Sequence, residues 1–111
     1  MVKQGDIIRL NFNPQTGHEQ GGRRPALVIS NSDFSRITRT AAMVCPITRT
    51  DKRLPFHISL DERTKTRGMI LCDQAKITDI QARNFEFIEQ APNDIVTEII
   101  EIVTSFIEIN E

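Results

Sequence analysis

Apolar runs of only four to eight residues recur through residues 5–80, and nothing between them can serve as a crossover helix. The connecting segments are short, except 13–24, which holds three Gly and one Pro and no apolar residue. Parallel strands need a crossover of roughly a dozen residues or more, usually helical. The runs can therefore pair only as a compact antiparallel sheet or small barrel. They are GDIIRLNF (5–12), PALVIS (25–30), TAAMVCPI (40–47), FHISL (56–60), MILC (69–72) and AKITDI (75–80). Each is rich in the β-branched and aromatic types that strands favour. Asn31-Ser32-Asp33 reads as a turn or as the cap of a short helical turn over 32–37. The 111 residues suffice for one core, so the expectation is one domain over 1–111.

The tail follows a different period. After Pro92, apolar side chains at Ile95, Val96, Ile99, Ile100, Val103, Phe106 and Ile107 recur at three- and four-residue steps. That spacing predicts an amphipathic helix of about 16–18 residues, with Pro92 near its first turn. Its many β-branched residues are weak helix formers, so packing on the sheet must hold it. Ile102 and Ile109 widen the stripe beyond one sheet face. Two readings stay open: a wholly internal helix, or one that also meets a second copy or another protein.

Net charge is −1, yet the charges are segregated. All 14 Lys and Arg lie within residues 1–83 beside eight acids, so that segment carries +6; residues 84–111 hold seven acids and no base, −7. Ten of the bases are Arg, whose planar fork matches phosphate. The alternatives are an anionic partner or two solvated faces. Without Trp or Tyr, base stacking would fall to Phe, His or Arg. Cys45 and Cys72 each sit in an apolar run without a CxxC pattern and read as reduced core residues. No run has the length of a membrane helix and the start lacks a secretory segment, so the expected location is cytoplasmic, without a membrane.

Several chemistries are excluded by pattern. Only His18 and His57 are histidines, and neither joins a metal-ligand spacing, so no metal or other cofactor is expected. His57, inside FHISL, reads as a satisfied strand residue. A phosphate-binding Gly-rich loop ending in Lys-Ser/Thr and a serine nucleophile elbow are both missing. What remains is Gly17-His18-Glu19-Gln20-Gly21-Gly22-Arg23-Arg24-Pro25, which packs an imidazole, a carboxylate, an amide and two guanidinium groups into one loop. Gly21-Gly22 allow close backbone approach, and Pro25 fixes Arg24 at the mouth of the next strand.

GHEQGGRRPALVIS resembles the signature of the MazF/PemK family of ribonuclease toxins, including its Kid and ChpB branches. Gly5-Asp6-Ile7 with Asn13-Pro14, Pro46-Ile47-Thr48, and Cys72-Asp73-Gln74 with Ile80-Gln81-Ala82-Arg83 resemble three further family elements in order. The resemblance spans most of the chain. It implies an SH3-like β-barrel, akin to CcdB, MazF and PemK, with a C-terminal α-helix, assembled as a homodimer. It implies a toxin of a type II toxin–antitoxin system that cuts single-stranded RNA, chiefly mRNA, without metal. A cognate MazE- or PemI-like antitoxin would block the site, and DNA would be met only through that antitoxin. The chemistry implied is attack of the RNA's 2′-hydroxyl on the adjacent phosphorus, leaving a 2′,3′-cyclic phosphate and a 5′-hydroxyl.

By the same resemblance Arg24 and Thr48 match the catalytic arginine and threonine. A fixed guanidinium at Arg24 stabilises the phosphorane, and the Thr48 hydroxyl binds the phosphate. His18 and Asp73 match residues of the PemK-like branch implicated in proton transfer and RNA contact. Either is the base, or Asp73 orients His18. That branch carries an arginine two residues before the aspartate, where this chain has Leu71; the departure shifts weight onto Arg24. Glu19, Gln20, Asn31 and Gln74 read as base or ribose contacts, with Gln74 alternatively a hydrogen-bonding residue of the barrel. Arg23, Arg49 and Arg53 read as phosphate-steering residues or as a solvated face. The competing function is a non-enzymatic, protein-binding toxin of the same architecture, such as the gyrase poison CcdB. A degenerate member that only binds RNA or antitoxin is a third option.

Overall fold

The longest apolar run becomes the strand on which the fold turns. In the computed structural model, which describes residues 1–14, 17–50 and 54–110, that strand is β3 (Ala41–Thr48). Around it stand β1 (Asp6–Asn11), β2 (Arg23–Val28), β4 (His57–Ser59), β5 (Met69–Leu71), β6 (Lys76–Asp79) and β7 (Glu86–Gln90). Helix α1 (Ser32–Thr38) links β2 to β3, a 3₁₀ turn (Cys72–Gln74) links β5 to β6, and α2 (Asn93–Ser105) ends the chain. All the ladders are antiparallel, in the order β4-β5-β3-β2-β1-β7, with β6 also on β3. The path stays open, since its end strands β4 and β7 share no ladder. The expected antiparallel β architecture with a C-terminal helix is thus what the chain forms.

β3 changes partner along its length. Ala41–Val44 pair with β6, and Ile47 and Thr48 pair with β5. Pro46 falls in the gap between the two ladders, where its missing N–H costs no sheet hydrogen bond. This change of partner bends the sheet, so both faces are buried. Ile7, Leu27, Cys45, Ile47 and Ile70 pack beneath Ile95, Val96 and Ile99 of α2. Ile8, Leu10, Phe12, Ala26, Val28 and Val44 form the core of the opposite face. Burial on both faces is why PALVIS and TAAMVCPI read as unbroken apolar runs rather than alternating ones. Both cysteines are free and buried; burial, with Asp73 nearby, pushes the Cys72 thiol up to about 12 and raises Cys45 further.

Two elements differ from expectation. α2 is 13 residues long, shorter than the apolar period suggests. Phe106 and Ile107 close it with bonds to Val103 and Thr104, and Ile107 and Ile109 beyond it are exposed. Without sheet beneath them, β-branched residues do not prolong a helix. β7 carries no clear strand signal, because it is an edge strand with Phe87 exposed; pairing with β1 creates it. The acidic tail is also partly spoken for: Glu86 pairs with Arg23 and Asp94 with Arg63, while Glu89 accepts the Lys65 and Thr66 backbone N–H groups.

Candidate active site

Cross-strand register assembles one face of functional side chains. The β2–β3 ladder runs from Val28↔Val44 to Ala26↔Pro46. Continued two residues, it sets Arg24 against Thr48. Thr48 pairs with Met69 of β5, and Met69 pairs with Ser59 of β4. Partners across an antiparallel pair share a face, as do residues two apart along a strand. The row Arg24–Thr48–Met69–Ser59 and the row Ala26–Pro46–Leu71–His57 therefore lie side by side on one face of the sheet, the second row buried. Its width from β2 to β4 is three strand spacings, roughly 14 Å.

Two neighbouring members of this face are fixed. The half-buried Arg24 donates from Nε to the Gly21 carbonyl at 2.9 Å, which sets the direction of its guanidinium. Thr48 is buried, and its Oγ1 accepts from the Thr50 N–H at 3.2 Å. The hydroxyl proton of Thr48 is then left to donate. Gly68 follows closely behind, with φ at +128° and its Cα against the Thr48 carbonyl; a Cβ there would lie 2.4 Å from that oxygen.

The loop before β2 is held over this face by Gln74. Its Oε1 accepts from the Gln20 N–H at 2.9 Å, and its amide nitrogen donates to the His18 carbonyl at 3.5 Å. Glu19 and Gln20 thereby border a small cleft with Pro46, Gln74 and Lys76, beside the Arg24–Thr48 row. Gln74 acts through its amide on the loop itself. His18 stands exposed in the loop. Asp73 makes its bond elsewhere: its Oδ1 lies 3.0 Å from Nε2 of the buried His57. His57, with Arg49, lines a groove of about 710 Å³. The Asp73 bond seen is thus to the histidine read as merely structural, rather than to His18.

The remaining candidates divide. Arg49 lies exposed at the end of β3, next to Thr48. Arg23 donates to the Asn84 carbonyl at 2.9 Å and pairs with Glu86, so its guanidinium ties β2 to β7. Asn31 caps α1, its Oδ1 accepting from the Phe34 N–H at 3.0 Å. Arg53 lies outside the described residues. Among the described residues no group of three His, Cys, Asp or Glu side chains is placed to hold a metal ion, and no helix is long and apolar enough to cross a membrane.

Residues 3–107 match the family described as PemK-like, MazF-like toxin of type II toxin–antitoxin system. The chain belongs to this family. It is 33% identical over 103 residues to Endoribonuclease PemK of Escherichia coli, spanning 89% of this chain and 77% of that protein. It is 34% identical over 104 residues to Endoribonuclease toxin ChpB of Escherichia coli K12, spanning 86% and 85%. The crystal structure of MazF (Form-I) from Deinococcus radiodurans superposes with a TM-score of 0.88 at 36% identity, covering 95% of this chain and 94% of that one. A MazE–MazF structure (Form-II) from the same organism gives 0.84 at 35% identity, covering 98% and 97%. The PemK/MazF motifs read from the sequence fall on the β2, β3 and 3₁₀-turn segments that build the Arg24–Thr48 face.

His57, read as a satisfied strand residue, is buried in β4 and bonded as that reading expects; what sequence reasoning misses is its partner. Its partner Asp73 lies 16 residues away, and only the β4–β5 register and the 3₁₀ turn bring the two together. No local spacing signals that contact.

Proposed function

We propose that this PemK/MazF-family chain is a metal-independent endoribonuclease toxin that cuts single-stranded RNA by internal transesterification. The observation that carries the reading is the β2–β3 register, which ends at Ala26↔Pro46 and, extended two residues, brings Arg24 opposite Thr48, beside the loop of Glu19 and Gln20 that Gln74 holds. The 2′-oxygen of the substrate attacks phosphorus, the P–O5′ bond breaks, and the proton lost at O2′ is matched by one gained at O5′. The Arg24 guanidinium opposes the charge that builds on the phosphorane oxygens, and the Thr48 hydroxyl donates to one of them. Asp73 or His18 takes the 2′-OH proton. Glu19 and Gln20 contact bases, and Arg49 steers phosphate. Because the nucleophile belongs to the ribose, DNA is not a substrate.

The likeness to MazE–MazF structures supports a cognate, MazE-like protein antitoxin that covers this face. The same reading places the toxin in the cytoplasm as a homodimer. The test is a gel assay with labelled single-stranded RNA and its DNA copy, in EDTA. RNA cut at a few sites with cyclic-phosphate ends, intact DNA, and a rate loss of about 10²–10³ for Arg24→Ala fit the proposal; Thr48→Ala loses activity as well. Intact RNA after incubation with folded, antitoxin-free protein overturns it and moves a protein-binding toxin to first place.

A further inference from the structure

On the sheet face opposite Thr48 lies a second cavity, of about 320 Å³, whose rim holds Arg9, Arg49, Lys65 and Arg67. Its floor includes the apolar Ile47 and Ile88, and none of the described residues that line it is acidic. Four cations around one apolar hollow repel one another; Glu89 beside Lys65 and Asp61 beside Arg67 offset part of that charge, and an anionic ligand would offset the rest. The loop that supplies two of them is rigid. Glu89 accepts from the Lys65 N–H at 3.1 Å and from both the N–H and Oγ1 of Thr66 at 2.8 Å. Partial burial raises the Glu89 pKa, but these bonds outweigh it and the carboxyl titrates below its ordinary range. Arg63 binds Asp61 and Asp94 with both arms, fastening the loop to the start of α2. The acids near the cavity are therefore engaged in holding the loop, while the cationic heads of Arg9 and Lys65 stay exposed.

We infer that this cavity is a second phosphate subsite for the RNA backbone, distinct from the Arg24–Thr48 face. It rests on the ribonuclease reading for the identity of the polyanion. Arg49 supplies the continuity: it follows Thr48 directly and lines both this cavity and the larger groove beside His57. A strand whose scissile phosphate lies at Thr48 thus meets Arg49 next and then the Arg9–Lys65–Arg67 rim. Arginine forks favour phosphate oxygens, and contacts of this kind position a strand without reading its sequence.

The probe is a mixed-sequence single-stranded RNA with 2′-O-methyl riboses, which cannot be cut by 2′-OH attack. Its Kd is measured by fluorescence anisotropy across a salt series. Arg9→Glu alone, and Arg9→Glu with Lys65→Glu, are compared with Arg36→Glu, which makes the first change in charge on α1 away from the cavity. Arg67 is left in place because it also donates to the Asp61 carbonyl at 3.0 Å. The expected result is a loss in affinity larger than for Arg36→Glu, with a salt slope lower by about 0.7 for each backbone phosphate no longer neutralised. Equal losses for the Arg9 and Arg36 variants, or an unchanged slope, overturn the subsite. So does a loss confined to affinity for an acidic peptide, which assigns the cavity to a protein partner. Cleavage of unmodified RNA by the wild type is read separately, so failure of the enzyme reading is distinguishable from failure of the subsite.

Discussion

Gly68→Ala tests whether the site depends on a close backbone approach rather than on side chains alone. Gly68 has φ of +128°, and its new Cβ would lie 2.4 Å from the Thr48 carbonyl oxygen, 2.9 Å from that carbon and 3.2 Å from Ile47 Cγ2. Restoring ordinary contact needs a shift of roughly 1 Å between β5 and the end of β3, against rigid packing. A non-glycine residue at such φ costs ~1–3 kcal/mol, and forced overpacking costs ~1–3 kcal/mol more. The sum is about 2–6 kcal/mol, which at ~4 °C per kcal/mol lowers Tm by roughly 8–24 °C for a domain of this size. Gly22→Ala is the matched comparison. It sits at φ +75° with nothing within 4 Å of its Cβ, so only backbone strain of about 1 kcal/mol applies. Thermal melts followed by circular dichroism measure the two. Cleavage is then assayed well below both midpoints. Because the atom displaced belongs to Thr48, a misplacement near 1 Å predicts about a 10²-fold loss in rate for Gly68→Ala. A Gly68→Ala protein that melts with Gly22→Ala and cuts RNA at the wild-type rate refutes the reasoning.

Gln74→Ala removes the acceptor for the Gln20 N–H and the donor to the His18 carbonyl. It should cost about 1–2 kcal/mol, raise KM for RNA more than it lowers kcat, and speed proteolysis within 17–22; unchanged KM and cutting pattern count against the clamp. Arg63 holds the Asp61 carboxyl down at about 2 and lowers Asp94 as well, chiefly through side-chain hydrogen bonds. Unfolded carboxyls titrate near ~4, so this stabilisation is complete above about pH 5 and is lost as pH falls towards 2. Urea midpoints measured from pH 6 to pH 2 should fall less steeply in Arg63→Ala than in the wild type, and parallel curves exclude the linkage.

The sheet was legible where burial was two-sided or alternation clean: β1, β4, β5 and β6 lie inside the runs read from the sequence, while β2 starts two residues before its run, at Arg23, and β3 ends one residue after its own, at Thr48. Boundaries moved where tertiary bonds decided them, as at Cys72, which leaves MILC for the 3₁₀ turn. β7 stayed hidden because an edge strand with an exposed Phe87 has little local signal. The candidate site was legible in part for the same kind of reason. Arg24 and Thr48 stand at strand ends marked by Pro25 and Pro46, so sequence landmarks fix them. Gln74 and Arg23 were each left with a structural reading beside the ligand one and Asn31 was read as a base or ribose contact, because type alone does not show whether a polar group is already engaged. Their partners at Gln20, Glu86 and Phe34 are set by folding.

The departure at Leu71 gains a physical account from register. Leu71 faces His57 directly across β4 and β5, and His57 reaches Asp73, two residues beyond Leu71, at 3.0 Å. A basic side chain thus meets the aspartate from the neighbouring strand although position 71 carries none. The ring is anchored by an edge-on contact with Phe56 at 5.3 Å, and Phe56 meets Phe106 at 5.6 Å. With the His57 side chain only 4% exposed and that of Asp73 36% exposed, the bond is sheltered on one side and wet on the other. Its coupling should accordingly be about 1 kcal/mol, below the full worth of a buried charged hydrogen bond. A double-mutant cycle of His57→Ala and Asp73→Asn by urea unfolding isolates that term from the packing loss under Phe56. Each single change should destabilise, His57→Ala by roughly 2–4 kcal/mol because it also empties the ring's place, and the pair should fall short of additivity by the coupling. Strict additivity would mean that Asp73 is oriented by its own turn, with His57 serving the core alone.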